Sequence, residues 1–279
     1  MIDVAIPYHP KDGYTIDACI DSIKKHFKEC GQIYIISKDE FVHDDVKWIP
    51  EANYSFSKQT IADSIKVNNP AIPNKSVGWV YQQLLKVCVQ YAEPNISDTY
   101  MIIDSDIIFV KDYSVFEVED GVTKIAHNYS FRYNEPYITN MKRINPRFQE
   151  FKQIEKGTGV NHMMVYEKEK VESMISIITR DGAEELWDAV ISRVRDSLNG
   201  GFLCIDYEIY WNYVLTTYPQ DYVLRRSRWE DFTDYKPILD NPDHPVHKSN
   251  VVYIGNHSWT RDPVTQKEPW FRPPWVWEP

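Results

Sequence analysis

Two aspartates separated by one serine are the residues of this chain best suited to chemistry. Asp104 and Asp106 lie between two apolar runs, Tyr100 to Ile103 and Ile107 to Val110. Such runs predict buried strands, and unpaired charges between buried strands are costly. A divalent cation is the simplest compensation, because it takes oxygen ligands and both carboxylates can converge where a strand ends. A solvated turn is the alternative, and the flanking apolar runs favour the metal.

Two further carboxylates, Asp206 and Glu208, open a segment that predicts a helix ending before Pro219. In one interpretation Asp206 is the N-cap and Glu208 lies in the first turn, where the helix dipole favours negative charge. In the other, a carboxylate that faces a cleft from the start of a helix acts as a general base. The sequence leaves both interpretations open.

These side chains need a scaffold, and the start of the chain predicts a βαβ unit. Strands over Ile2 to Ile6 and Ile33 to Ile36 flank a helix over about Tyr14 to Lys28, which Gly31 is expected to end. The sheet is therefore parallel at its start. In such sheets ligands bind beyond the carboxyl ends of the strands. The residues that follow these two strands are candidates for a ligand site: Pro7, Tyr8, His9, Lys11, Ser37, Lys38 and Asp39.

Two later segments are also expected beside the aspartates. A helix over Gly78 to Ala92 leads into their strand, so Lys86 can reach a metal or a phosphate, or else lie in solvent. The loop Gly157 to Gly159 allows a close backbone approach to a ligand or forms a plain tight turn. Asn161 and His162 follow it and are expected at the rim of the site.

Three local predictions concern the intervening chain. Glu51 to Lys75 is polar and predicts a long loop with at most one helical turn near Thr60 to Ile65. Asp181 and Glu184 predict a capping box that starts a helix. A Pro- and Trp-rich tail over 261–279 is expected to pack on the body in extended form.

Composition narrows the class of protein. The 279 residues suit one large α/β domain, and the net charge of −10 argues against nucleic acid and anionic membranes as main partners. No run approaches the roughly 18 apolar residues of a membrane span. The chain opens without a signal-peptide pattern, and its four cysteines show no CxxC pair. We expect a cytoplasmic protein with reduced thiols.

Taken in order, these pieces resemble the GT-A type of nucleotide-sugar glycosyltransferase. The carriers are the early βαβ unit, the Asp104-Ser105-Asp106 signature, the Gly157-Thr158-Gly159 loop, the carboxylates at Asp206 and Glu208, and a late strand with His257. The stretches GWVYQQLLK and IDYEIYWNY are similar to a group of bacterial and viral glycosyltransferase-like proteins. The late strand lacks the full His-x-x-Gly-x-x-Lys-Pro-Trp pattern of glycogenin-like transferases, which leaves the assignment of His257 dependent on position alone.

The resemblance implies a fold and a division of labour. The fold is a Rossmann-like, mixed and mostly parallel sheet flanked by helices, in one domain over 1–279. Residues 1–125 would bind the nucleotide sugar, residues 126–260 would bind the acceptor, and 261–279 would be the tail.

The resemblance also implies roles for single residues. Asp104, Asp106 and His257 would hold Mn²⁺ or Mg²⁺, and a mixed histidine and carboxylate site suits Mn²⁺. The donor would be a UDP-sugar, on frequency within the fold, and the residues implied to contact it are Pro7, Tyr8, His9, Lys11, Ser37, Lys86, Asp104 and Ser105. Gly159, Asn161 and His162 would contact substrate, and Asp206 or Glu208 would be the base of an inverting transfer to a carbohydrate hydroxyl.

Three other functions fit parts of the sequence. A haloacid-dehalogenase type phosphohydrolase also uses Asp-x-Asp, but on its first strand and followed by Thr or Val, whereas Ile107 follows here. A nucleotidyltransferase would have a Gly-rich basic first loop, whereas the first loop here, Tyr8 to Gly13, is poor in glycine. A non-catalytic sugar-binding module would explain the Trp-rich tail but not two aspartates between apolar strands.

Overall fold

A computed structural model describes residues 1–70, 76–194 and 203–257 of the chain. The predicted tail over 261–279 lies outside these residues. Within them, no helix combines the length and the apolar character that crossing a membrane requires. Cys19, Cys88 and Cys204 are buried free thiols, as the sequence predicts, and Cys30 is half-buried and also free.

The described strands and helices alternate through the first half of the chain and then become shorter. The strands are β1 (Ile2–Pro7), β2 (Cys30–Ser37), β3 (Val46–Pro50), β4 (Thr99–Ile103), β5 (Ile107–Phe109), β6 (Phe116–Glu119), β7 (Val122–Tyr129), β8 (Met163–Glu167), β9 (Tyr222–Arg226), β10 (Trp229–Asp231) and β11 (Tyr253–Gly255). The helices are α1 (Ile16–His26), α2 (Lys58–Asn68), α3 (Ser76–Val87), α4 (Val89–Ala92), α5 (Glu135–Ile144), α6 (Lys168–Thr179), α7 (Leu186–Arg193), α8 (Tyr210–Thr217), α9 (Lys236–Leu239) and α10 (Pro245–Lys248). A π-helical turn, Ile205–Ile209, leads directly into α8.

The central sheet has the strand order β3-β2-β1-β4-β8. The pairings of β1 with β2, β2 with β3 and β1 with β4 are parallel, and only the edge strand β8 is antiparallel. The predicted mixed, mostly parallel sheet flanked by helices is therefore confirmed. Chain order runs outward in opposite directions on the two sides of β1, so a topological switch point lies between β1 and β4, where ligands bind in open α/β sheets.

Alternation along the central strands explains the two layers that cover the sheet. On one face Val4 and Met101 pack in a cluster with Ile20 of α1. On the other face Ala5 and Ile102 join a larger cluster that includes residues of α3, α6 and α8. Successive strand residues point to opposite faces, so both apolar neighbours in each pair are buried. The strands are buried on both sides, which accounts for their continuous apolar runs.

Two three-stranded sheets complete the fold, with the orders β10-β11-β5 and β6-β7-β9. In the first, Gly255 of β11 pairs with Ile107 of β5 on one side and with Asp231 of β10 on the other. Asn256 then donates a backbone hydrogen bond of 2.9 Å to the carbonyl of Asp106. This small sheet brings the end of the described chain onto the Asp104–Asp106 turn.

Two local predictions are wrong in the first half of the chain. The polar segment after Glu51 contains the 11-residue helix α2, which begins with a reciprocal capping box between Ser57 and Thr60. Threonine in place of the usual Glu or Gln at the third position hid this signal. Gly31 does not end α1, because that helix stops at His26 and Gly31 already lies in β2.

Two predicted helix starts are also wrong. Asp181 has a φ of +58° and follows Arg180, which is likewise left-handed and ends α6. The Asp181 and Glu184 capping box therefore does not form, and α7 starts only at Leu186. Asp206 is not an N-cap either, since Cys204 holds that position and Asp206 lies within the π-helical turn.

Gly159 generates the first testable prediction. A Cβ added there would lie 2.4 Å from Cβ of Trp211 and 3.0 Å from the carbonyl oxygen of Tyr207. Both belong to the segment that carries Asp206. We expect Gly159→Ala to lower the free energy of unfolding by about 1–3 kcal/mol through overpacking, measured by urea denaturation.

Gly78→Ala is the matched control. Gly78 lies in α3, and the nearest atom to an added Cβ would be Nζ of Lys58 at 3.8 Å. Alanine in this first turn should leave the free energy of unfolding unchanged or raise it by up to about 0.5 kcal/mol. Equal effects of the two substitutions would contradict the assignment of Gly159 to packing against Trp211.

Candidate functional site

The Asp104–Asp106 turn lies at the carboxyl end of β4, at the switch point of the sheet. Backbone hydrogen bonds join Asp104 to the carbonyl of His162 at 3.0 Å and Ile107 to the carbonyl of Asp104 at 3.3 Å. The first bond ties the turn to the residue that precedes β8, and the second closes the turn before β5. Both carboxylates therefore leave the sheet at the same edge.

Lys86 is buried between two carboxylates. Its Nζ donates to Oδ1 of Asp104 at 2.6 Å, to Oδ2 of Asp206 at 2.8 Å and to the hydroxyl of Tyr207 at 3.0 Å. Burial alone would lower the pKa of Lys86, but the two carboxylates outweigh it and raise that pKa. The lysine is thus a fixed cation at the site, and the solvated alternative for Lys86 is wrong.

The two aspartates at Lys86 differ in their electrostatics. Burial opposes ionisation of Asp104, but Lys86 and His162 overcome it and lower its pKa. For Asp206 burial prevails over the attraction of Lys86, so its pKa is raised. Asp206 is therefore the more basic of the two carboxylates.

Two histidines each contact one carboxylate of the turn. Nδ1 of His162 lies 3.1 Å from Oδ2 of Asp104, and Nδ1 of His257 lies 2.7 Å from Oδ2 of Asp106. Nε2 of His257 is also 3.1 Å from Oδ1 of Asp231. Burial opposes a charge on His257, yet Asp106 and Asp231 raise its pKa to about 10. This centre attracts positive charge.

Two adjoining cavities open at this edge of the sheet. The larger, of about 820 Å³, is lined by residues after β1 and β2 and by part of α3. The smaller, of about 200 Å³, is lined by the acidic centre. Lys11, Trp79 and Gln82 line both cavities, so the two adjoin each other and make up one cleft with two parts.

The sequence-predicted residues divide among these cavities. Those that line the larger cavity are Pro7, Tyr8, His9, Lys11 and Ser37. Those that line the smaller one are Lys11, Lys86, Asp104, Ser105, Asp106, His162, Asp206 and His257. The hydroxyl of Ser105 donates to the buried carboxylate of Asp12 at 3.1 Å. The hydroxyl of Ser37 donates to the carbonyl of Asp39 at 2.7 Å.

Gly159, Asn161 and Glu208 do not appear among the residues that line either cavity. Asn161, expected at the rim, is instead fully buried, and its Nδ2 donates to the carbonyls of Asn128 and Gly159. The carboxylate of Glu208 accepts from Thr158, from the backbone of Gly159 at 3.1 Å and from Nδ2 of Asn212 at 3.0 Å. It anchors the glycine loop to α8.

Three residues of the site were not predicted from the sequence. Tyr207 donates to Oδ1 of Asp104 at 2.9 Å, and Asp12 holds Ser105. Asp231 reaches His257 only through the pairing of β10 with β11. The segment around Asp231 has no periodic pattern that would predict a strand or a site there. Tyr207, in contrast, lies between the candidate residues Asp206 and Glu208, which could have indicated it.

A metal could be held by two partly different groups of residues. Of the predicted ligands, Asp106 and His257 are in contact, but both oxygens of Asp104 already have partners in Lys86, Tyr207 and His162. Among the described residues, one group of three places its ligand atoms within 4.8 Å of one another: His162, Asp231 and His257.

Comparisons with known proteins give a family and a distant structural likeness. The model of a family of unknown function, DUF6492, matches residues 4–266. No curated protein matches the sequence. A crystal structure of mouse xyloside xylosyltransferase 1 in its apo form aligns over 91% of this chain and 96% of its own, with 9% identity and a TM-score of 0.43. Nothing about activity follows from a likeness of this degree.

The environment of Glu208 generates a prediction about pH. Burial outweighs its three hydrogen-bond donors and raises its pKa from 4.5 to about 7. A raised pKa means that folding favours the protonated form, so this contribution to stability is complete below about pH 4.5 and is lost as the pH rises through about 7. We therefore compare the free energies of unfolding of Glu208→Gln and the wild type by urea denaturation. We expect the difference in favour of the variant to grow by up to about 3 kcal/mol between pH 5 and pH 8.

Glu169→Gln serves as the control, because Glu169 is exposed in the first turn of α6. Its pH profile of stability should run parallel to that of the wild type. A Glu208→Gln profile that is also parallel would mean that the three donors keep Glu208 ionised in the folded protein.

Proposed function

The chain belongs to the family DUF6492, whose function is unknown, and from its site we propose that it is a metal-dependent glycosyltransferase. The donor would be a nucleotide-diphosphate sugar, with a UDP-sugar as the first candidate. The acceptor would be a hydroxyl group of a carbohydrate. The cleft of two adjoining cavities at the switch point of the sheet carries this proposal.

The two parts of the cleft match the two ends of such a donor. A cavity of about 820 Å³ lies within the usual range of small-molecule sites. It is lined only by residues between Pro7 and Leu85, in agreement with a nucleotide-binding role for the 1–125 half. The smaller acidic cavity draws on both halves, as expected where donor and acceptor meet.

Side chains in the larger cavity have the character that a nucleoside needs. The rings of Tyr8 and Phe41 pack edge to face at 5.1 Å between centroids. Lys38 and Asp39 lie at the end of β2 and line the same cavity. Aromatic faces suit a base, and a carboxylate after a second parallel strand suits ribose hydroxyls.

The acidic centre supplies the electrostatics of the transfer. Breaking the bond between sugar and diphosphate leaves growing negative charge on the phosphate oxygens. A divalent ion bound beside Asp106 and His257 would neutralise that charge as a Lewis acid. Lys11 lines both cavities, so its ammonium group could also face the diphosphate at their junction.

Asp206 is the better of the two candidates for the base. It lines the smaller cavity and its pKa is raised by burial, both of which suit proton abstraction from an acceptor hydroxyl. Glu208 is directed to the glycine loop instead. The base is needed only if the anomeric centre inverts, because a front-face retaining transfer proceeds without one.

Donor binding can be tested by thermal stabilisation. UDP and GDP, and their sugar conjugates, are screened with and without Mn²⁺, with EDTA as the control. A nucleotide at about 100 times its Kd should stabilise by about 2.7 kcal/mol and raise the Tm by about 5 °C or more. The absence of a metal-dependent shift with every nucleotide would contradict the proposed function. Hydrolysis of a simple phosphomonoester that disappears in Asp104→Asn would favour a phosphohydrolase instead.

The choice of base can be tested once a donor is known. Asp206→Asn should lower kcat about 100-fold or more with little change in the KM of the donor. Glu208→Gln should retain kcat within about threefold at a temperature where both variants are folded. If both variants keep near-normal rates, the base lies elsewhere or the enzyme retains configuration.

A further inference from the structure

Three side chains around the smaller cavity bring possible ligand atoms close together. A ring nitrogen of His162, a ring nitrogen of His257 and a carboxylate oxygen of Asp231 lie within 4.8 Å of one another. We infer that the divalent ion binds between these three side chains, and that Asp104 and Asp106 orient the two imidazoles instead of binding the ion. This inference rests on the proposed function for what the ion does, but not for where it binds.

The first support is that Nδ1 of each histidine already contacts a carboxylate. Nδ1 of His162 contacts Asp104 at 3.1 Å, and Nδ1 of His257 contacts Asp106 at 2.7 Å. A histidine that ligates a metal almost always donates its other N–H to a carboxylate or carbonyl, which fixes the tautomer and the ring orientation. Donation from Nδ1 leaves the lone pair on Nε2. His162 can thus ligate through Nε2 directly, and His257 can do so once an ion replaces the proton that lies between its Nε2 and Asp231.

His162 itself gives independent support. Its Nε2 is buried and has no hydrogen-bond partner among the described residues, which is costly for a polar atom that only protein surrounds. A metal at Nε2 would give this nitrogen the partner that it lacks among the described residues.

Asp231 completes the group with one oxygen. Its Oδ1 lies 3.1 Å from Nε2 of His257, close enough for both atoms to bind one ion. The other oxygen, Oδ2, accepts from Arg132 at 3.0 Å. The guanidinium of Arg132 also lies 4.0 Å from the ring centroid of Trp229, so the carboxylate is held with Oδ1 towards the histidines.

Gly255 leaves space at the same point. A Cβ added there would be 2.6 Å from Oδ1 of Asp231 and 2.7 Å from Nε2 of His257. Any side chain at this position would push the two ligand atoms apart. The missing Cβ is therefore a condition for their approach.

The alternative, in which both aspartates of the turn ligate the ion, conflicts with the contacts of Asp104. Its Oδ1 accepts from Lys86 and Tyr207, and its Oδ2 contacts His162. The inferred group keeps all of these contacts. His162 and His257 both line the smaller cavity, so an ion held by them would be accessible to a diphosphate bound there, as a catalytic metal site requires.

The chemistry of the three ligands also narrows the choice of metal. Two imidazoles and one carboxylate suit Mn²⁺, Fe²⁺ or Zn²⁺, whereas Mg²⁺ prefers oxygen ligands. Mn²⁺ is the practical probe because it is paramagnetic. It can be added to the full chain without any nucleotide.

Pulsed EPR of the Mn²⁺-loaded protein counts the coordinated nitrogens. We expect two imidazole nitrogens in the wild type and one in His162→Gln. His43→Gln is the control, because His43 lines neither cavity and is not in the group of three ligands. One nitrogen in the wild type would overturn the inference and place the ion on the aspartates of the turn with His257. A folded wild type that binds no Mn²⁺ would also overturn it.

Mn²⁺ affinities of carboxylate variants provide the second measurement. Asp231→Asn should lose more affinity than Asp104→Asn or Asp106→Asn, for which loss of an orienting carboxylate predicts about a 10- to 100-fold reduction. Asp98→Asn is the control, since that side chain is fully exposed. The reverse order would overturn the inference. If Asp231→Asn does not fold, the nitrogen count in the wild type decides.

The outcomes separate this inference from the proposed function. Two coordinated nitrogens without stabilisation by any nucleotide would retain the metal site and remove the glycosyltransferase. Nucleotide-dependent stabilisation with a single coordinated nitrogen would retain the transferase and remove the inferred ligand set.

Discussion

The ion cluster of Lys86 with Asp104 and Asp206 is the interaction on which the site depends. A buried charge without a partner is strongly destabilising, so each member of the cluster constrains the position of the other two. The lysine comes from α3, one aspartate follows β4 and the other lies in the π-helical turn. Three segments that are distant in sequence are thereby held in one geometry, and π-helical turns occur often at functional sites.

Much of the scaffold could be predicted from the sequence because its signals are long and regular. The central strands are apolar on both faces, and α1 and α3 show clear helical spacing of buried residues. Most of the wrong predictions concern helix starts, which depend on the capping or the backbone conformation of one or two residues. The helix α2 depends on a capping box without an acidic member, and α7 starts later than expected because Arg180 and Asp181 take left-handed conformations.

For the site, too, some residues could be predicted from the sequence and others could not. Asp104 and Asp106 were predictable because charged residues beside buried runs require compensation. Lys86 could be placed near them because its helix leads into their strand, but its ion pairs with Asp104 and Asp206 were not predicted. Glu208 and Asp206 are two residues apart on a helical turn, so their side chains point to nearly opposite sides. Only one of them could therefore face the cleft, although the sequence did not tell which. Whether Gly159 faces a ligand or the ring system of Trp211 depends on a contact with a residue 52 positions later, which local composition cannot reveal.

An Asp-x-Asp pattern predicts a centre that needs positive charge, but it does not predict how the aspartates supply it. They can bind an ion directly, or they can polarise histidines that bind it, and both arrangements place the same two carboxylates at the end of the same strand. The deciding residues are His162, which precedes β8, and Asp231, which ends β10. Their positions follow from strand pairings made elsewhere in the fold. The chemical role of the motif is therefore set by the sheets that surround it.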